Sequence, residues 1–353
     1  MFAGRRALLV AALCALAPWI GGCAAPAIGV RADSDPKWKQ IAPERELTST
    51  PFFAQQLHQC GPAALATALG ASGVDTTPEA LAPEVYVPAL HGSLQVELVA
   101  ASRRAGRIPY AVAPDLGSLL AEIDAGRPVL VLQNLGLTML PRWHYAVVVG
   151  YSQRTGDIVL RSGRTERQVT DAARFERTWA RADRWGFVLL APGELPANVD
   201  HDDYVEAVAA YESAGGADAL PAWQRAIEQW PGSDIALLGL SNALLGSGET
   251  RTAERCYQAL VDRSPDDLAA RNNLAFLLGE RGCVDEALAT LDPALKQAGD
   301  DARWLEVLDG TRTEIEARRG DADRCARNEA DTDERSDHAV YCQSTTSPAY
   351  VSD

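Results

Sequence analysis

The chain has 353 residues, 47% of them hydrophobic, and a formal net charge of −15. That length and composition describe a globular protein of about two domains. The acidic balance leaves no basic stripe for phosphates and argues against a nucleic-acid partner.

The first 23 residues read as a segment outside the fold. Arg5-Arg6 make a basic start, and Ala7 to Ile20 form an apolar core too short and too quickly broken for a stable membrane span. The run ends Ile20-Gly21-Gly22-Cys23, which resembles a bacterial lipoprotein signal; an ordinary signal peptide cut nearby is the alternative. The resemblance implies that Cys23 is lipidated and becomes the new N-terminus, holding the chain on a membrane in the bacterial cell envelope. Ala24 in place of Asp implies the outer membrane, facing the periplasm. Residues 24–47, rich in Ala, Pro and charge, read as a tether.

A domain is expected over residues 48–195, helical first and stranded afterwards. Its central stretch is Gln55-Gln56-Leu57-His58-Gln59-Cys60-Gly61-Pro62-Ala63-Ala64-Leu65. Pro62, with preset φ and no N–H, suits a first helical position. Leu65 and Leu69 recur one turn apart, and Gly70 and Gly73 offer a stop. A thiol at a helix N-terminus feels the positive end of the macrodipole, which favours thiolate. A nearby Gln can donate to an oxyanion. The base has to come from elsewhere, and His144 in Trp143-His144-Tyr145-Ala146-Val147-Val148 is the candidate. The competing reading is a buried cysteine opening a core helix.

Further helices are expected after Thr77, with Pro78 at the first helical position, from Ser93 to Gly106, and over Leu116–Ala125 with Asp115 as N-cap. Strands follow at 128–132, 144–151, 158–160 and 187–190, with Thr155-Gly156-Asp157 turning the middle pair into a hairpin. Helices followed by a mostly antiparallel sheet make an α+β domain, closed by Pro192-Gly193-Glu194-Leu195-Pro196.

Residues 201–320 are helical and repetitive. Trp223, Tyr257 and Leu291 keep an interval of 34, as do Leu240 with Leu274, Gly248 with Gly282, and Ala253 with Ala287. A 34-residue period of helix pairs is the tetratricopeptide signature. Ala243 and Ala253 supply small residues where helices cross. About three units are expected, with 203–213 opening the array and 301–319 capping it. Residues 321–353 carry eight acids and three bases and read as a solvated, poorly ordered tail.

Of the seven cysteines, Cys14 leaves with the signal, Cys23 takes lipid and Cys60 is the proposed nucleophile. The remaining Cys256, Cys283, Cys325 and Cys342 permit two disulfides in an oxidising compartment. Cys325 with Cys342 is the favoured pair, because it would tie down the tail; free thiols are the alternative. Neither the cysteines nor the five histidines show a zinc spacing. No cofactor or metal is expected.

Taken together, Gln55…Cys60-Gly61-Pro62-Ala63-Ala64-Leu65 and His144-Tyr145-Ala146-Val147-Val148 resemble the papain-like cysteine peptidases that process double-glycine bacteriocin leaders. The resemblance covers roughly residues 48–195. It implies Cys60 as nucleophile, His144 as base and acid, and Gln55 as oxyanion donor. The whole chain is similar to bacterial lipoproteins that join such a domain to tetratricopeptide units. Two features depart from the family. Its Gln often lies six residues before the Cys, where this chain has Ala54, so Gln55 is assigned and Gln56 is the alternative. Its usual Asp on the strand after the His, often followed by Pro, is absent from Leu160-Arg161-Ser162-Gly163, leaving Asp157 in the turn as a possible orienter.

The expected function is hydrolysis of a peptide or extended protein segment through a Cys60 thioester, with a protein partner on the repeats. A non-catalytic adaptor and thioester-based acyl transfer are the alternatives. His58 and His91 are weighed as solvent or loop residues against roles in the cleft. Trp143 is weighed as core packing against a shield for the imidazole. His201 and His338 carry no motif.

Overall fold

The computed structural model describes residues 40–55, 59–215, 218–319, 325, 341 and 342. Residues 1–39 with Cys23, expected to hold a signal segment, the Gln56–His58 stretch, His338 and most of the acidic tail lie outside them.

The N-terminal domain is built on strands β3 (Val129–Asn134) and β4 (Trp143–Ser152), paired antiparallel from Val129 opposite Val148 to Asn134 opposite Trp143. β3 is buried along its whole length. Its apolar run is continuous because helices cover both faces of the sheet. Val129 and Val131 enter one core with Ala146 and Val148. Leu130 and Leu132 enter the other with Tyr145 and Val147.

The sheet order is β2 (Ile108–Ala111), β7 (Gly186–Leu190), β3, β4, β5 (Asp157–Ser162), β6 (Thr165–Asp171). Every ladder among the described residues is antiparallel. Helices α1 (Cys60–Ala71), α2 (Pro78–Val85) and α3 (Gln95–Arg104) pack on one face. Helices α4 (Leu116–Asp124) and α5 (Ala172–Ala180) pack on the other. Thr77 caps α2 by accepting from Ala80 N–H, and Asp115 caps α4 by accepting from Ser118 N–H at 2.7 Å. The α+β arrangement is therefore present.

Several elements depart from the sequence expectation. Strand β1 (Glu44–Glu46) pairs with β4 at Gly150–Ser152, so the tether ends before residue 47. Gly150 is required there, since a Cβ would lie 2.8 Å from Arg45 O. β6 was illegible because its Thr-Glu-Arg-Gln-Val-Thr-Asp run is an exposed edge with no apolar alternation. α5 follows it at once and buries only Ala172, Phe175 and Trp179, too few to mark a helix before the turn is known.

The second domain runs from α6 (His201–Ser213) and α7 (Leu220–Gln229) through α8 (Asp234–Gly246), α9 (Thr250–Arg263), α10 (Leu268–Glu280) and α11 (Val284–Ala298) to α12 (Ala302–Glu316). Trp223, Tyr257 and Leu291 are buried at equivalent places on α7, α9 and α11. Gly239 of α8 lies against the Trp223 indole, where a Cβ would approach to 2.5 Å. The helix starts share the period too: Ser233, Asp267 and Asp301 are N-caps of α8, α10 and α12.

The two domains share one continuous apolar core that passes from α4 and β2 into α6 and α7. Polar clamps fix the junction. Glu122, buried and paired with Arg127 at 2.7 Å, accepts from Ala197 N–H, and Tyr110 Oη accepts from Asp200 N–H.

The disulfides are Cys256–Cys342 and Cys283–Cys325, with Cα separations of 4.5 and 4.8 Å. This corrects the Cys325–Cys342 expectation. That bridge would close the tail only on itself, whereas each tail cysteine here reaches a thiol buried among the repeats. Tyr341 adds a hydrogen bond to Glu228 at 2.8 Å. Separations of 86 and 42 residues place roughly 4–5 kcal/mol of chain entropy on each bridge. Cys342→Ser should therefore lower the unfolding free energy by several kcal/mol in a denaturant titration. Non-reducing peptide maps should join Cys342 to Cys256; a Cys325–Cys342 peptide would refute the pairing.

Candidate active site

Helix α1 begins at Cys60 and is buried from Gly61 to Leu69. Gln59 stands at its N-cap without a side-chain cap hydrogen bond, so the N–H groups of the first turn have no side-chain acceptor there. Pro62 falls at the third helical position rather than the first. Its missing N–H is still one that an α-helix leaves without an internal partner. Gly61 is dictated by packing: a Cβ there would meet Ser93 Oγ at 2.2 Å. The loop carrying Ser93 thus closes directly over the start of the helix, and the Tyr145 hydroxyl holds it by donating to Ser93 O at 3.2 Å. Burial, and secondarily Cys60, push the Tyr145 phenol above its ordinary pKa, so it remains a neutral donor.

His144 lies at the start of β4, opposite Gln133 of β3. Its Nε2 is 2.8 Å from the Ser162 hydroxyl. Burial and the positive Arg142 beside it hold the imidazole below its usual pKa, so at neutral pH it is the unprotonated form, able to take a proton. In an antiparallel hairpin the beginning of one strand meets the end of the next. Residues near His144 must therefore come from the Ser162 end of β5. Asp157 opens β5 and pairs with Ser152 and Asp171, at the opposite end, so it is no orienter. Ser162 takes the position instead. A hydroxyl can donate or accept, and so fixes the tautomer less firmly than a carboxylate does.

Gln55 reaches the same place from the segment before α1. Its backbone N–H donates to Gly163 O at 2.9 Å and its side-chain Nε2 to Tyr145 O at 3.2 Å. The amide nitrogen carries a second N–H. The segment is anchored by Arg161, buried and donating to the carbonyls of Thr48, Thr50 and Glu166. Arg161 and Ser162 are the two residues that sequence reasoning missed. Their signal was a Arg-Ser pair on an otherwise apolar strand, where polar side chains need partners.

Gln55, Cys60 and His144 all line one cleft of about 1100 Å³, together with Ser93, Leu94 and Trp143. Trp143 is exposed, which removes core packing as its role. His91 lines the same cleft from a left-handed loop position with φ 48°. Ser93 Oγ is buried and without a hydrogen-bond partner among the described residues. His201 lies elsewhere, its Nδ1 against Asp202 and its Nε2 against the Ser233 hydroxyl; it joins α6 to the cap of α8. Gln56, His58, His338 and Cys23 fall outside the described residues. Cys283, Glu286 and Cys325 are close enough to share a metal ion, but the two sulfurs are bonded to each other.

Residues 47–186 match the model of the Peptidase_C39 like family. Residues 204–250 and 244–308 match two tetratricopeptide repeat models. Among solved structures, the chain is similar to a C39-like peptidase candidate from Bacillus anthracis, at 16% identity and a TM-score of 0.36, over 41% of this chain and 97% of that one. No curated protein matches. The chain thus joins a domain that matches the C39-like peptidase family to a region that matches tetratricopeptide repeats.

Proposed function

We propose that this protein is a cysteine peptidase of the bacterial cell envelope, attached to the membrane through a lipid on Cys23, that hydrolyses an extended peptide segment. The observation that carries the reading is the convergence of Gln55, Cys60 and His144 on one cleft. Cys60 Sγ attacks the scissile carbonyl while the His144 imidazole takes the thiol proton. The oxyanion receives hydrogen bonds from the second N–H of Gln55 and from backbone N–H at the start of α1. Protonated His144 then gives its proton to the leaving amine. Water, activated by the same imidazole, hydrolyses the thioester. Ser162 holds the ring. The repeats supply a surface for a protein partner or for the rest of the substrate.

One observation favours a second reading. A hydroxyl rather than a carboxylate orients His144, which suits a domain that binds extended peptides without cutting them. Turnover separates the two. In a peptide-library assay, Cys60→Ala should fold normally and lose ~10³-fold or more of kcat, as expected when a nucleophile is removed. A wild-type chain that binds peptides but never cleaves them would establish the adaptor. An added amine appearing in the product would show acyl transfer in place of hydrolysis.

Ser162→Ala should cost about one net hydrogen bond, ~1 kcal/mol or about fivefold in kcat, and Ser162→Thr should restore most of it. Unchanged kcat in Ser162→Ala would remove Ser162 from the mechanism.

The His144 pKa predicts two pH effects. The acid limb of kcat/KM should fall below the ordinary histidine value of 6.5. The folded state also prefers the neutral ring. Its contribution to stability is therefore present above 6.5 and lost as pH falls through the folded pKa. Denaturant titrations at pH 7.5 and 5.5 should show a larger loss for wild type than for His144→Gln. Equal losses would contradict the assignment.

A further inference from the structure

All but three of the exposed large apolar side chains among the described residues, the three being Val169, Ile235 and Val307, belong to two segments beside the cleft. Leu90, Leu94 and Val96 lie on one. The other is the connection between β3 and β4, where Leu135, Leu137, Met139, Leu140 and Trp143 are exposed, Met139 at 91%. A peptide in the cleft would meet Leu90, Leu94 and Trp143, which line it. It would not meet Leu137, Met139 or Leu140, which lie outside the lining.

The β3–β4 connection is ordered. Leu135 N–H donates to Arg142 O, and Leu137 and Leu140 bond to each other through both backbone pairs. Asn134 Oδ1 accepts from Gly136 N–H and Arg142 N–H, both at 2.9 Å. Arg181 clamps Asn134 O. Gly136 is required, because a Cβ would meet Leu140 O at 2.3 Å. These polar contacts hold the backbone while its apolar side chains point outward.

We propose that this hairpin tip inserts into the apolar layer of a lipid surface and turns the mouth of the cleft toward the membrane. Charge favours this occupant. The chain carries a net −15, yet neither 87–96 nor 135–143 contains an acid, and Arg142 is the single charge of the second stretch. Anionic headgroups would repel most of the surface but accept this one. Trp143, at the base of the tip, has the amphipathic ring suited to the headgroup level. Reach allows it as well. β1 places the start of the fold at the Ser152 end of β4, and the tip extends from the Trp143 end, about 33 Å away for ten residues of strand. The sixteen residues 24–39 span up to about 55 Å, so a lipid on Cys23 and the tip can meet the same surface. The inference rests on the proposed membrane attachment and not on catalysis.

The test uses the full chain, isolated from bacterial membranes and reconstituted in vesicles of phosphatidylcholine with phosphatidylglycerol, with a dansyl-bearing amino acid at position 139 or, as a control, at 169. Position 139 should show blue-shifted emission quenched by nitroxide lipids, as expected for insertion to ~5–10 Å, and position 169 should not. Leu137→Asp with Leu140→Asp should abolish the quenching at 139 while the chain still floats with vesicles. Flotation with no quenching at 139 would overturn the tip inference and leave the attachment standing. Failure to float would overturn both. A shift at 139 that follows protein concentration without lipid, or appears only with added peptide, would assign the tip to a second copy or to substrate and overturn the proposal.

Discussion

The site depends on the burial of α1 against the sheet. Nine consecutive residues, Gly61 to Leu69, are withdrawn from solvent, and Ala64, Leu65, Ala66, Ala68 and Leu69 share a core with Leu130, Leu132, Val147 and Val149. A helix buried to that extent cannot slide or rotate without losing packing on several sides. Cys60 is therefore placed by the core beneath it. Pressing the Ser93 loop onto Gly61 fixes the same residue from above. The Cys60 position is the end of a packed element.

Around that point the polar contacts divide the remaining work. The β4–β5 hairpin brings Ser162 to His144, and Arg161, next along the strand, binds the carbonyls of the segment that carries Gln55. One strand thus brings a hydroxyl to His144 and a guanidinium to the segment that carries Gln55. Among the described residues His144 meets a hydroxyl and no carboxylate, and burial and Arg142 hold its pKa low.

The repeats are a continuation of the same core. Glu122 and Tyr110 hold the junction, and the shared apolar cluster runs on through α6 and α7. At the far end the two disulfides attach residues of the acidic tail to α9 and to the start of α11. A short helical array with few neighbours per unit gains from such links. The repeats are thereby fixed to the N-terminal domain at one end and cross-linked to the tail at the other.

Cys60, His144 and Gln55 could be singled out because local sequence marks them: a cysteine before Gly-Pro and an apolar helix, a histidine heading a Val-rich strand, and an amide just upstream; the fold brings all three to one cleft. The 34-residue interval was legible because each repeat must bury the same positions, down to caps at Ser233, Asp267 and Asp301. Strands β1 and β6 were not, since edge strands in water need no apolar pattern. Ser162, Arg161 and the disulfide partners were decided by tertiary structure alone. Which end of β5 faces His144, which carbonyls surround a buried guanidinium and which thiol a tail reaches are set by distances in space. Sequence determined the residue types that the chemistry and the core require. The fold decided which of them meet, because pairing across a sheet or a helical stack joins positions that nothing along the chain connects.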